Sequence, residues 1–333
     1  MSVGTKQQQK GEKNMKKLSF FSLLGAAFLF SYLVGCNENS ISPEETDDQF
    51  IESVVRNGIG SGEEDDLMST EVGDLDTGAV ENGGGFDTPI DSLMKWGRRI
   101  TSVSINISIS NQGDTIKNVT VTRTITGNYI IIGIVLGQVD TIVKPYTEVM
   151  NRLAIFKRID RTPYPRRNWR LYKVSMLDGQ TTQPQVGSDY VKMNKIEVWI
   201  NGTLTYTFLG PDFTQNWFTT RYFGGPGIPE VHRGDQVNIK VFTYSTQPEP
   251  DIVAWHWARN TFGFHRVPFD MTSNVPNGSG WDRTYEKNFT VYGTHPFRRA
   301  NGYISASTHK SLYDDSPAEF ASDLVGTPYR VIP

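Results

Sequence analysis

The chain predicts a mainly β protein, with two β-rich domains carried behind an exported leader and an acidic tether. Three observations predict it. From Trp96 onward apolar residues recur with a period of two, as in TSVSINISIS, the pattern of strands with one buried face. Turn signals punctuate these runs at short intervals: NQGD at 111–114, Asn201-Gly202 and FGGPGIP at 223–229. The single cysteine, Cys36, closes the most apolar segment of the chain.

The leader comes first. Met15, Lys16 and Lys17 give a basic start, and Leu18 to Tyr32 follow as an apolar run, the order of a secretory signal. The run falls short of the roughly 20 residues a membrane-spanning helix needs. Residues 1–14 stand ahead of it, so Met1 and Met15 are alternative starts. The residues Leu33-Val34-Gly35-Cys36 resemble the lipobox of bacterial lipoprotein precursors. The resemblance implies cleavage just before Cys36, diacylglyceryl attachment to its thiol, and a membrane anchor of two or more acyl chains, enough for stable retention. Asn37 stands where enterobacterial lipoproteins kept at the inner membrane carry Asp. By that resemblance the outer membrane stays open, on its periplasmic side or at the cell surface. With one cysteine, neither a disulfide framework nor a cysteine zinc site can form.

A net charge of −3 supplies no field that would draw in nucleic acid. The expected organisation is a signal peptide with an N-terminal extension (1–35), a lipidated cysteine and flexible acidic linker (36–88), an antiparallel β-rich domain (89–180), and a β-sandwich with a short C-terminal helix (188–333). Residues 57–88 contain no lysine or arginine and too little apolar surface to offset ordering. Within the tether, Phe50, Ile51, Val54 and Val55 recur at near-helical spacing and predict a short docking helix over 44–56. Asp74, Asp76 and Gly78 have a D-x-D-x-G spacing, but Gly85 stands where a calcium loop needs a bidentate Glu; a solvated linker is the plainer reading.

In the first domain the runs around Val103–Ile109 and Val119–Ile125 predict strands, and YIIIGIVL at 129–136 predicts a fully buried one. Runs 151–159 and 168–176 pair across DRTPYPRRN. Asp91–Ile100 and Pro145–Phe156 are candidates for a covering helix. The GDT turn, Arg152, Ala154 and Phe156, and WRLYKVS at 169–175 resemble the nuclear transport factor 2-like sheet over about 90–180, which implies an α+β alternative. In the second domain Asn201-Gly202 predicts a tight hairpin. Short strands, regular turns and a Gly234-Asp235 entry to an alternating strand resemble, over 188–293, bacterial immunoglobulin-like sandwich domains. Ser316, Pro317 and Glu319 form a helix-start signal and predict a helix over 317–324.

Candidate chemistry is sparse. His256 and His265 flank a hairpin and would need Asp251 or Asp270 to complete a metal site. Gly278-Ser279-Gly280 lacks the strand-turn-helix setting of a nucleophile elbow. Asp314 and Asp315 are adjacent, which points strand neighbours to opposite faces. No catalytic residue, metal or cofactor is therefore assigned. Arg161, Arg166 and Arg167, with Arg158 and Arg170, either grip an anion or keep a loop solvated. Trp217, Trp255 and Trp257 either stack on sugar rings or build core; Trp255 and Trp257, two apart, share a face. The expectation is a lipid-anchored envelope protein acting as a noncatalytic binding or structural module, its partners the membrane and a glycan or envelope protein. The rivals are a carbohydrate-binding surface lipoprotein and an envelope hydrolase with dispersed acids.

Overall fold

The computed structural model describes residues 45–57, 90–185, 187–260, 263–291 and 299–333. The leader, Cys36, the linker from 58 to 88 with its Asp74/Asp76 pattern, and His295 lie outside the described residues, as do the side chains of Trp257 and His265. Among the described residues no helix is long and apolar enough to cross a membrane.

The protein is mainly β, as expected. Three long strands, β1 (Ile90–Gln112), β2 (Ile116–Val135) and β3 (Gln138–Arg158), form an antiparallel meander. Gly113, at φ 67°, turns the first hairpin, and Leu136-Gly137, at φ 50° and 77°, turns the second. Two successive residues at positive φ match the right-handed twist of the flanking strands. The helix predicted in the tether is present as α1 (Asp47–Asn57). It buries Phe50, Ile51, Val54 and Val55 in a cluster with Val119, Val121, Ala154 and Phe156. Ion pairs from Asp48 to Lys117 and from Asp47 to Arg158 tie its first turn to β2 and β3. Further along the same strands Ile125, Tyr129, Ile131, Ile142 and Tyr146 join a second cluster with Leu312 and Phe320.

Two readings of this region are corrected. Both helix candidates, 91–100 and 145–156, are strand, because their neighbours on β2 supply a complete ladder. The YIIIGIVL run is not buried on both faces. Tyr129 and Ile131 are buried whereas Ile130, Ile132 and Ile134 on the other face are half-buried.

The rest of the sheet comes from distant sequence. After α2 (Pro165–Asn168), β4 (Trp169–Gln183) pairs with β3 as predicted, and also with the last strand, β15 (Ser322–Ile332). Beyond β15 lie β14 (Arg299–Ser307), β10 (Ile252–Asn260) and β11 (Gly263–Pro268), with β7 (Trp217–Thr219) on β4 and β8 (Glu230–His232) parallel to β15. The second sheet, β12-β13-β9-β5-β6, comprises β5 (Val191–Ile200), β6 (Thr203–Leu209), β9 (Gln236–Ser245), β12 (Asp270–Asn277) and β13 (Gly280–Thr290). Asn201-Gly202 turns β5 into β6, as predicted.

The boundary expected near 180–188 is crossed by the pairing of β4 with β15, and Thr46–Pro333 is one compact unit. The helix expected at 317–324 is a turn leading into β15. Ser316 Oγ accepts from Ala318 N–H, so the start signal makes a side-chain turn, and the ladder between β4 and β14 claims the residues from Ser322 onward. The short helix here is α3 (His309–Tyr313), earlier in the chain.

Two buried polar assemblies join the sheets. Arg283 on β13 donates from Nη1 to Asp251 at 3.0 Å and from Nε to Asn274 Oδ1 at 3.0 Å, with both charged side chains fully buried. Asp251 also accepts from Ser245 Oγ at 2.7 Å and from Tyr285 OH at 3.2 Å. On the neighbouring strands Lys192 Nζ of β5 donates to Asp323 of β15 at 2.8 Å and lies 3.6 Å from Asp178 of β4. Met193 N–H donates to the second Asp323 oxygen at 2.8 Å.

Removing one member of a buried pair strands the other charge, at a cost of about 3–5 kcal/mol. Arg283→Met is therefore expected to lose that much in urea denaturation, and a loss below about 1 kcal/mol would contradict this role. Burial pushes the Asp323 carboxyl up to about 6, against the pull of Lys192 and the Met193 N–H. Burial moves Asp178 the same way. A carboxyl whose pKa rises on folding contributes stability that grows as pH falls from above 6 towards 4. The stability difference between the unaltered chain and Asp323→Asn should therefore shift in favour of the unaltered chain between pH 7.5 and 4.5. A flat difference in denaturation midpoints would sink the assignment.

Candidate functional site

Both assemblies sit at one end of the paired sheets, and the space between the sheets lies toward the other. Along β15 the order is Asp323, then Val325, Thr327, Tyr329 and Val331. Along β5 it is Lys192, then Ile196 and Val198. β9 runs the opposite way, from Val237 and Ile239 to Ser245. The residues beyond the ion pairs line a cavity of about 530 Å³. Period-two alternation puts these side chains on the facing surfaces of the two sheets.

The walls are chemically uniform. Sheet residues Ile196, Val237, Ile239, Ile304, Val325 and Val331 are all buried and all β-branched. Short branched side chains facing each other across sheets about 10 Å apart leave a layer unfilled where longer ones would interdigitate. Met176 and Trp255 also line the cavity. The indole of Trp255 lies over Gly302 of β14, where an added Cβ would come within 2.1 Å of the ring. Glycine is required there because the ring occupies the space. The rim is half-buried: Val198, Tyr206, Val231, Phe289 and Tyr329. Tyr206 stacks on Phe208 at 6.1 Å between centroids, and Tyr329 meets Trp255 at 6.0 Å.

Among the described residues no charged side chain lines this space. Sealed and dry, a cavity of 530 Å³ at roughly 24 cal/mol per Å³ would cost about 13 kcal/mol, comparable with the whole stability of a typical domain. Filled with water, it would leave that water with few hydrogen-bond partners. Apolar matter between the walls removes both penalties.

The residues singled out from sequence are placed as follows. Trp255 is buried and lines the cavity. Trp217 is half-buried on β7 and does not line it. Arg161, Arg166 and Arg167 are exposed on the β3–β4 connection, away from the cavity lining. That connection is held from within by Asn168, whose Oδ1 accepts from Thr162 N–H and whose Nδ2 donates to Thr162 O. Arg167 folds over the Tyr164 ring at 5.2 Å. His256 is buried, 2.9 Å from Ser305 Oγ and stacked on Tyr303. Asp251 is committed to Arg283, and Asp270 pairs with Lys287 at 3.2 Å. Among the described residues no group of three His, Cys, Asp or Glu side chains is placed to hold a metal.

Sequence reasoning missed the cavity and both ion-pair assemblies. The signal for the cavity was present as the inward series in KIEVWI, QVNIKVF and LVGTPYRVI, but the same alternation describes an ordinary filled core. No protein-family profile matches the chain, and no curated protein matches it at significant similarity.

Proposed function

We propose that this protein is a lipid-anchored component of the bacterial cell envelope, attached through Cys36, that acts as a noncatalytic binding module and takes the apolar part of a ligand between its two sheets. The cavity carries this reading. It joins a large volume to walls that are almost wholly hydrocarbon, and ligand sites are typically concave, largely apolar and of 300–1,000 Å³. The lipobox resemblance at Leu33 to Cys36 supports the anchor. Asn37 leaves the outer membrane open as the site, on its periplasmic side or at the cell surface.

A chain beginning at residue 37 keeps the compact unit Thr46–Pro333 intact. Mixed with N-phenyl-1-naphthylamine, it is expected to give saturable, blue-shifted emission, and Val325→Phe, which fills the cavity, should weaken that binding at least tenfold. Emission no greater than that of dye in buffer would sink the binding reading. In the native host, Cys36→Ala is expected to abolish incorporation of labelled palmitate. Unchanged labelling would overturn the anchor.

A further inference from the structure

The cavity has a shape as well as a chemistry. It follows β15 through four successive inward positions, Val325 to Val331, which at roughly 3.3 Å per residue span about 20 Å. A sphere of 530 Å³ would be only about 10 Å across, from its volume alone. Its lining also crosses five neighbouring strands of the large sheet, β4, β15, β14, β10 and β11, about 19 Å at roughly 4.8 Å per strand, so the space is a thin slot held between the two sheets.

Three of its polar side chains bond within the protein: Tyr206 OH accepts from Glu230 N–H at 3.3 Å, Thr290 Oγ1 donates to Gln236 Oε1 at 3.0 Å, and Thr327 Oγ1 donates to Pro328 O at 3.1 Å. Against walls of this composition a peptide would bury more amides, and a sugar more hydroxyls, than the lining can partner, each a costly desolvation. A hydrocarbon chain meets no such cost. The Asp251–Arg283 and Lys192–Asp323 assemblies lie beyond the Val325 end of the slot. At the other end it reaches the parallel pairing of Val231 with Val331, whose chain neighbours Arg330 and Glu230 turn to the opposite face.

Resting on the cavity as the ligand site, we infer that the slot takes an extended acyl chain lying along β15 between Val331 and Val325. At about 1.25 Å per carbon, the projection of a C–C bond near 1.5 Å, a 20 Å slot accommodates about sixteen carbons.

The test uses the chain from residue 37, with Trp255 as the internal reporter. Saturated fatty acids from eight to eighteen carbons compete against N-phenyl-1-naphthylamine. Affinity should rise up to about fourfold per added methylene and level off near sixteen. In parallel, 9,10-dibromostearate should quench tryptophan emission saturably, and Trp255→Phe should lose most of that quenching while Trp217→Phe, which does not line the cavity, keeps it. Vesicles of a phosphatidylcholine brominated at the same carbons separate the sources. Quenching by the free acid alone assigns a fatty acid, and quenching by vesicles as well assigns a chain drawn from a lipid. Both support the acyl chain. Competition independent of chain length, with quenching unchanged in Trp255→Phe, would overturn the acyl chain and leave apolar binding standing. Failure of the dye itself to bind would remove both.

Discussion

Arg283 and Asp251 bury their charged ends completely between the two sheets, and two strands away Asp323, equally buried, pairs with the partly exposed Lys192. Buried pairs of this kind add little net stability, because desolvation nearly cancels attraction. Their effect is positional. Asp251 begins the run into β10, Asp323 sits at the start of β15, Lys192 at the start of β5, and Ser245, which donates to Asp251, at the end of β9. A one-residue slip of any of these strands would turn its side chains to the opposite face and strand a charge. The pairs thus fix the register at one end of the sandwich. That register decides which side chains face each other along the remainder.

What faces across at the other end is short and branched. Each strand contributes a residue chosen for β structure, and Val and Ile satisfy the strand without reaching the opposite wall. The walls therefore stand apart while each sheet remains well ordered. Gly302 admits Trp255 flat against the sheet, so a bulky ring lines the slot without filling it. The cavity is a product of the same residues that make good strands, placed opposite one another by the ionic end.

The long meander relates to this sandwich through β4. Its inner face packs in two places, against α1 and against α3 with the segment around Phe320. Lys144 on β3 is wholly buried and donates to the carbonyls of Lys310 and Glu319, each at 2.8 Å. Arg98 and Glu148, 2.6 Å apart, share Ser322 at the start of β15. The strand that lines the slot is thereby held from its other side by the meander. The N-terminal block is part of the support for the slot, and this explains why it does not separate as a domain.

Local pattern made the class, the α1 helix, the β3–β4 pairing and the Asn201-Gly202 hairpin readable, because each depends on residues near one another in sequence. The division into two domains failed for the opposite reason. Ser322–Ile332 pairs with β4, more than 140 residues earlier, and the helix-start signal at Ser316 is locally sound but overridden by that ladder. The site was harder still. Trp255 was legible as a candidate, yet its role depends on Gly302 and on the far wall, and Val198 or Val325 carry no sign that they face open space and not another side chain. A void is a property of pairs of strands. A protein tethered to a membrane by acyl chains, as proposed, would meet acyl-bearing ligands beside its own anchor, and an acyl-sized slot would take them. The anchor and the slot then serve a single constraint, since a hydrocarbon ligand reaches water only at the cost that both of them remove.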